Sequence, residues 1–338
     1  MGPAVQVDIV LVQHLLNFWD AQGVHLAPVL SALCISDAGP LPPWIGAEKL
    51  RSAQEMVRKF TKDALLSIKA GIYLAGRDLP MAQLLRCAEN LAQGIPAALR
   101  YVHRSVGLMS LRIEPGDDQV RLLPVAAVDS EMSRYDCQET MAIIASLCRE
   151  SLGDSLRAGD LCLRLACAPG YESEIEQMLG VDVRSDDACR LDISASAWQR
   201  LNPRYQPLLF GTTLRELERR EKKLQDHLLL YSELQSIIEA CLLRRHVSQE
   251  DVAGQLGISV RNLQRRMKAL GTSYQILLDE CRQTLAMKLI RDESVPLYEI
   301  AYMVGYAEPS AFYKAFRRWT GTTPGDYRLA QDQVCSDV

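Results

Sequence analysis

No stretch of the 338-residue chain approaches the roughly 20 consecutive apolar residues that a membrane-spanning helix needs. The most apolar early run, residues 5–19, is broken by Gln6, Asp8, Gln13, His14 and Asn17. It has neither a basic leader nor a small-residue cleavage site, so no secretory signal is expected there. Gln6 also stands where a myristoylation motif wants serine or threonine. None of the ten cysteines (34, 87, 137, 148, 162, 167, 189, 241, 281 and 335) sits in a C-x-x-C pair. The five histidines (14, 25, 103, 227 and 246) show no H-x-x-H or H-E-x-x-H spacing. No metal site and no cofactor are therefore expected, and the cysteines read as small hydrophobes of a reducing, cytoplasmic compartment. G-x-S-x-G, Walker and dinucleotide fingerprints are missing too, which leaves no catalytic residue to name. A strong basic excess is also lacking. The net charge is −4, so the whole chain is no nucleic-acid coat, although a sum of charges does not exclude a local basic face.

What is present is ample core material: 48% hydrophobic and 24% charged residues, enough for two ordinary domains. Helices are expected near 5–20, 26–35, 47–59, 61–74 and 81–93 from apolar positions at helical spacing. Pro40, Pro42 and Pro43 mark a loop between the second and third. The texture then changes. Two apolar runs, 106–113 and 120–128, flank Pro115, Gly116 and Asp117, a turn in which proline presets φ and glycine accepts a positive one. That predicts a β-hairpin. A helix near 130–151, a strand through Leu161, Leu163 and Leu165, a helix over 172–179 and a strand near 189–193 follow. The first two hundred residues thus read as an α+β domain with a small antiparallel sheet.

Residues 202–210, with Pro203 and Pro207, read as a boundary. Beyond it Leu214, Leu217, Leu224, Leu228 and Tyr231 lie on a heptad-like stripe. A dimerisation helix and an amphipathic helix packed on its own domain fit this stripe equally. The expected organisation is a domain over 1–210, a linker helix over 211–235 and an all-helical domain over 236–338.

Residues 246–328 are more specific. Ser248 and Glu250 open a helix with a hydroxyl cap and an early acid, both suited to the positive end of the helix dipole. Val252, Ala253 and Leu256 face inward, Gly257 permits a sharp turn, Ile258 fills the corner and Ser259 caps the next helix. That second helix turns Leu263 and Met267 inward. Its outer face carries Arg261, Asn262, Gln264, Arg265 and Lys268 and no acid. The same grammar returns 48 residues later. Ile300, Ala301 and Val304 are inward, Gly305 is the turn and Tyr306 the corner. Glu308 stands at the cap and Pro309 at the first helical position, where its missing N–H costs nothing. Phe312 and Phe316 face inward, while Ser310, Tyr313, Lys314 and Arg317 face out.

Two helix-turn-helix units are thereby expected, about 248–270 and 297–318, joined by a helix near 274–292. A rigid helix of about 27 Å between them would let two recognition helices enter successive major-groove segments on one face of DNA. Charge is a supporting term, with 12 basic against 9 acidic residues over 245–328.

These residues resemble the AraC/XylS family of bacterial transcription regulators. The likeness runs through Ala253, Leu256, Gly257, Arg265, Arg266, Gly271, Thr272, Ser273 and Tyr274. It continues through Arg282, Ala286, Ile300, Ala301, Gly305, Tyr306, Phe312, Phe316 and the closing Gly321, Thr322, Thr323 and Pro324. The resemblance implies base contacts from Arg261, Gln264, Arg265 and Lys268 in the first unit. In the second it implies contacts at Pro309, Ser310, Tyr313 and Lys314, with Pro309 departing from the usual polar residue. Residues 66–113, with Gly71, Gly76, Leu84, Leu85, Arg100 and Tyr101, resemble more loosely the arabinose-binding-like domain of the ornithine-utilisation and virulence regulators. Such domains imply a small-molecule effector, homodimerisation or both. Double-stranded operator DNA and RNA polymerase are the expected partners. Two alternatives stand beside this reading: an enzyme fused to a helix-turn-helix module, and a regulator whose N-terminal domain binds only protein.

Overall fold

A computed structural model of the chain describes residues 6–35, 44–105, 109–126, 133–166, 170–244, 247–270, 272–292 and 294–335. The chain divides into two units, Met1–Lys223 and Leu224–Val338. The expected linker helix is the middle of one long helix, Pro207–Leu243, and the division falls inside it.

The first unit opens with β1 (Gln6–Asp8), α1 (Ile9–Ala21), α2 (Leu26–Ala32) and β2 (Trp44–Gly46), the two strands pairing antiparallel. Asp8 caps α1 by accepting from the Val10 amide at 2.8 Å. Leu11, Val12, Leu15, Phe18 and Trp19 make its buried stripe. Next come α3 (Ala47–Thr61), α4 (Leu66–Ala75), α5 (Pro80–Cys87) and α6 (Leu91–Ser105). Where the sequence predicts one helix over 81–93, the chain makes two, breaking after Cys87 and continuing through Pro96 to Ser105.

The hairpin is β3 (Met109–Pro115) with β4 (Gln119–Ala126), closed by the Gly116 amide donating to the Gln119 carbonyl at 2.9 Å. The expected strand ends at 106–108 and 127–128 lie outside the described residues. Then follow α7 (Arg134–Leu152), capped by Ser133, β5 (Leu161–Leu165), α8 (Glu172–Leu179), β6 (Asp182–Ser185), β7 (Arg190–Ser194) and α9 (Ala195–Gln199). The five-stranded sheet runs β3-β4-β7-β5-β6. It is not wholly antiparallel, because β6 returns through α8 and pairs parallel to β5. Apolar residues of α1, α3, α4, α7, β5 and β7 share one core, in which Leu15, Leu163 and Leu191 are fully buried. Among the described cysteines, Cys87, Cys137, Cys148, Cys241 and Cys281 are buried as expected; Cys34 is exposed instead.

The long helix is α10 (Pro207–Leu243). Leu217 is buried against Leu84 and Tyr101 of the first unit, with Phe210 and Leu214 beside it. Leu234, Ile238, Cys241 and Leu242 belong to a core of the second unit. At Leu217 the stripe therefore packs on its own unit; the Leu224 side chain lies outside what the structure describes.

The second unit continues with α11 (Gln249–Gln255), α12 (Val260–Ala269), α13 (Tyr274–Leu289), α14 (Leu297–Met303), α15 (Pro309–Thr320) and α16 (Pro324–Cys335). Ser248 and Asp251 form a capping box at α11, each backbone amide served by the other's side chain at 3.2 and 3.0 Å. Two cores sit along this unit. Leu277, Leu278 and Cys281 of α13 join α10, α11 and α12 in one. Ala286 of α13 and the adjoining Ile290 join α14 and α15 in the other, and Leu285 packs against both. The second core is aromatic, with Phe316 ringed by Phe312, Trp319 and Tyr327 at 5.5–6.3 Å between centroids.

Candidate nucleic-acid interface

Each paired helix is positioned by a turn that only a left-handed residue can make. Gly257 takes φ +64° between α11 and α12, and Gly305 takes φ +79° between α14 and α15. The surroundings differ. A Cβ at Gly257 would meet nothing within 4 Å, whereas one at Gly305 would lie 2.8 Å from the buried Leu242 side chain.

On α12, Ser259 accepts from the Asn262 amide at 3.3 Å, and Leu263 and Met267 are buried. This orientation leaves Arg261, Gln264, Arg265 and Lys268 exposed on the opposite side, with Asn262 half-buried. Arg265 donates to the Asn262 amide oxygen at 3.1 Å, and Gln264 donates to the Gln249 oxygen at 2.8 Å. Gln249 is a residue that the sequence reading passed over; it lies on α11, 15 positions away, and no local spacing signals the contact. Arg266, adjacent to this set in sequence, is half-buried.

On α15, Phe312 and Phe316 are fully buried, and Ser310, Tyr313, Lys314 and Arg317 are exposed. Pro309 occupies the first helical turn as expected. Glu308 stands at the N-cap position but its side chain makes no capping bond; its carboxylate instead accepts from Ser310 Oγ at 3.4 Å. The neighbouring Arg318, absent from the expected set, is committed to Asp279 of α13 at 2.7 Å, and Trp319 Nε1 donates to the same carboxylate at 3.1 Å. Arg261, Lys268, Lys314 and Arg317 make no ion pair among the described residues. Their charges stay available to an anionic partner.

The second turn is braced from α13. Arg282 donates to the Gly305 carbonyl at 2.7 Å and its guanidinium lies 4.5 Å from the Tyr306 ring centroid. Burial pushes the Tyr306 phenol up, and Arg282 pulls it the other way. Arg328 of α16 donates to the Ile290, Asp292 and Val295 carbonyls at 2.9, 3.2 and 3.0 Å, satisfying the C-terminal end of α13 and the loop beyond it. Two cationic helices, each packed on a short partner across a glycine turn, are the architecture of a helix-turn-helix DNA-binding protein.

Residues 252–330 match the family model described as a helix-turn-helix domain. The ornithine utilization regulator of Pseudomonas aeruginosa is 29% identical over 255 residues, which cover 71% of this chain and 71% of the relative. The HTH-type transcriptional regulator VirS of Mycobacterium tuberculosis is 26% identical over 255 residues, covering 74% of each chain. An uncharacterized HTH-type transcriptional regulator of Mycobacterium bovis is 42% identical over 77 residues, 23% of this chain and 22% of its own. The chain thus carries a helix-turn-helix domain over residues 252–330 and is similar over about seven tenths of its length to proteins named as regulators. Among the described residues, no helix is long and apolar enough to cross a membrane.

Proposed function

We propose that α12 and α15 are the two reading helices, carrying operator recognition on Arg261, Gln264, Arg265 and Lys268 and on Ser310, Tyr313, Lys314 and Arg317. The observation that carries this reading is α13. Its N-terminal half is built into one helix-turn-helix core and its C-terminal half into the other, so the two units are coupled by one helix of about 24 Å. This is a closer union than a free strut, and it supports simultaneous docking of both helices on one face of a duplex.

Arginine suits guanine edges and glutamine suits adenine, each good bidentate contact contributing about 1–3 kcal/mol of discrimination. Ser259 and Asn262 at the start of α12 are assigned to the backbone-proximal side of this surface. Glu308 and Pro309 are assigned the matching place on α15, where Pro309 offers no side-chain hydrogen bond and reads by shape. An operator-bound homodimer in the cytoplasm, contact with RNA polymerase and control by a small molecule at the first unit complete the proposal. The relatives' names support it, since the Pseudomonas aeruginosa protein is named for ornithine utilization.

The test is Arg265→Ala on selected and on random DNA. A base-reading role lowers affinity for the selected site by about 1–3 kcal/mol and relaxes preference at one base pair. Equal losses on both DNAs would assign Arg265 to phosphate alone.

A further inference from the structure

An open cleft of about 280 Å3 in the first unit lies between the end of α3 and the start of α7, reached also by Tyr171 before α8. Its charged lining is Arg58, Lys62 and Arg134 against the single carboxylate of Asp63. That carboxylate is already engaged, accepting from Lys69 Nζ at 2.7 Å and from the Leu65 amide at 2.9 Å. Arg58 and Arg134 both lie against the Tyr135 ring, 4.6 and 5.0 Å from its centroid, so two like charges share one aromatic ring. Glu139 feels Arg58, but burial raises its carboxyl to about 7 and weakens that compensation near neutral pH.

Lys62 ends α3 in the left-handed region at φ +53°, its amide closing the helix on the Arg58 carbonyl, and this places a cation on the cleft. One further feature points to a ligand. Gln138 is 6% exposed and lines the same cleft. Its Nε2 donates to the Ala166 carbonyl at 3.0 Å, and a carbonyl only accepts, so the orientation of the amide is fixed. The remaining Oε1 is buried with no partner among the described residues. A buried acceptor in that condition calls for a donor from elsewhere.

We infer that this cleft binds a small organic acid with a hydrogen-bond donor beside its carboxylate, an α-hydroxy or α-amino acid. The carboxylate meets Arg58, Lys62 and Arg134, the donor meets Gln138 Oε1, and Tyr135 and Tyr171 flank the carbon chain. The inference rests on the effector-controlled reading above and names the chemistry of that effector.

The experiment is titration calorimetry on the full chain with L-malate, citrate, L-glutamate and L-serine. Succinate serves as the donor-free comparison and sodium chloride as the ionic-strength control. At least one hydroxy or amino acid is expected to bind about tenfold more tightly than succinate. Arg58→Gln should weaken it by about tenfold, and Lys62→Gly by several fold. Lys62→Gly keeps the test independent of folding, because glycine relieves the backbone while deleting the charge. No binding above the salt control, or equal affinity in wild type and both variants, overturns the inference. DNA affinity measured alongside separates the two readings. An acid that binds here, weakens with both variants and leaves DNA affinity unchanged upholds the cleft and overturns effector control. A small molecule that alters DNA affinity and ignores both variants does the reverse.

Discussion

The Arg282 guanidinium donates to the Gly305 carbonyl at 2.7 Å, tying the helix shared by both cores to the turn that positions α15. The side chain spans 23 positions of sequence and also covers the Tyr306 ring. Its removal leaves a half-buried carbonyl without its charged donor, at a cost of about 1.5–3 kcal/mol. Arg282→Ala is therefore expected to lower the stability of the full chain by that amount in urea unfolding. Arg282→Lys should recover only part, because an ammonium does not reproduce the planar stacking on Tyr306. Equal stability of wild type and Arg282→Ala would remove this tie from the account.

The two turn glycines are not equivalent. Gly257→Ala meets open space and should cost only the left-handed strain, about 1–2 kcal/mol. Gly305→Ala carries the same strain and also drives its Cβ to 2.8 Å from the fully buried Leu242. It should cost at least about 1 kcal/mol more, through overpacking. Paired unfolding curves decide; equal losses would mean that Leu242 moves aside freely.

Glu139 gives the first unit a pH dependence of definite sign. Its carboxyl is raised from the ordinary 4.5 to about 7, first by burial, then by Asp136, with Arg58 and the 3.3 Å bond from Gln54 acting the other way. The folded chain thus holds a proton that the unfolded chain releases. The associated stability is fully present below about pH 4.5 and is lost as the pH rises through about 7. Glu139→Gln, which mimics the protonated form, should be the more stable protein at pH 8 by an amount on the order of 2–3 kcal/mol, the difference vanishing by about pH 4.5. A constant difference across that range would contradict the shift.

Much of the second unit is legible in the sequence because its signals are local. Ser248 and Ser259 are caps where hydroxyls are expected, and Gly257 and Gly305 have positive φ. Of the inward residues, Val252, Ala253, Leu263, Met267, Ile300, Ala301, Val304, Phe312 and Phe316 are buried while Leu256 is half-buried. What stayed hidden depends on distant partners. The contacts of Gln264 with Gln249 and of Arg318 with Asp279 have no fixed spacing to betray them. In the first unit, a helix is expected only over 81–93, yet α6 continues through Gly94 and Pro96. A Cβ at Gly94 would lie 2.8 Å from that of Ala88, so the glycine marks a close approach and no break. The strand β6 escaped because Val183 is its only buried residue, too little for an alternating pattern. The polar cleft escaped because Arg58 and Lys62 are far in sequence from Arg134 and Gln138, and the four gather only in the folded chain.

The most direct test of the coupled reading heads is hydroxyl-radical footprinting of the full chain on a site selected from random DNA. Two protected segments on one face of the duplex, about one helical turn apart, are expected, with the loss of one segment in Arg265→Ala and of the other in Lys314→Ala. Protection of one segment alone, or the same segment lost in both variants, would contradict the account.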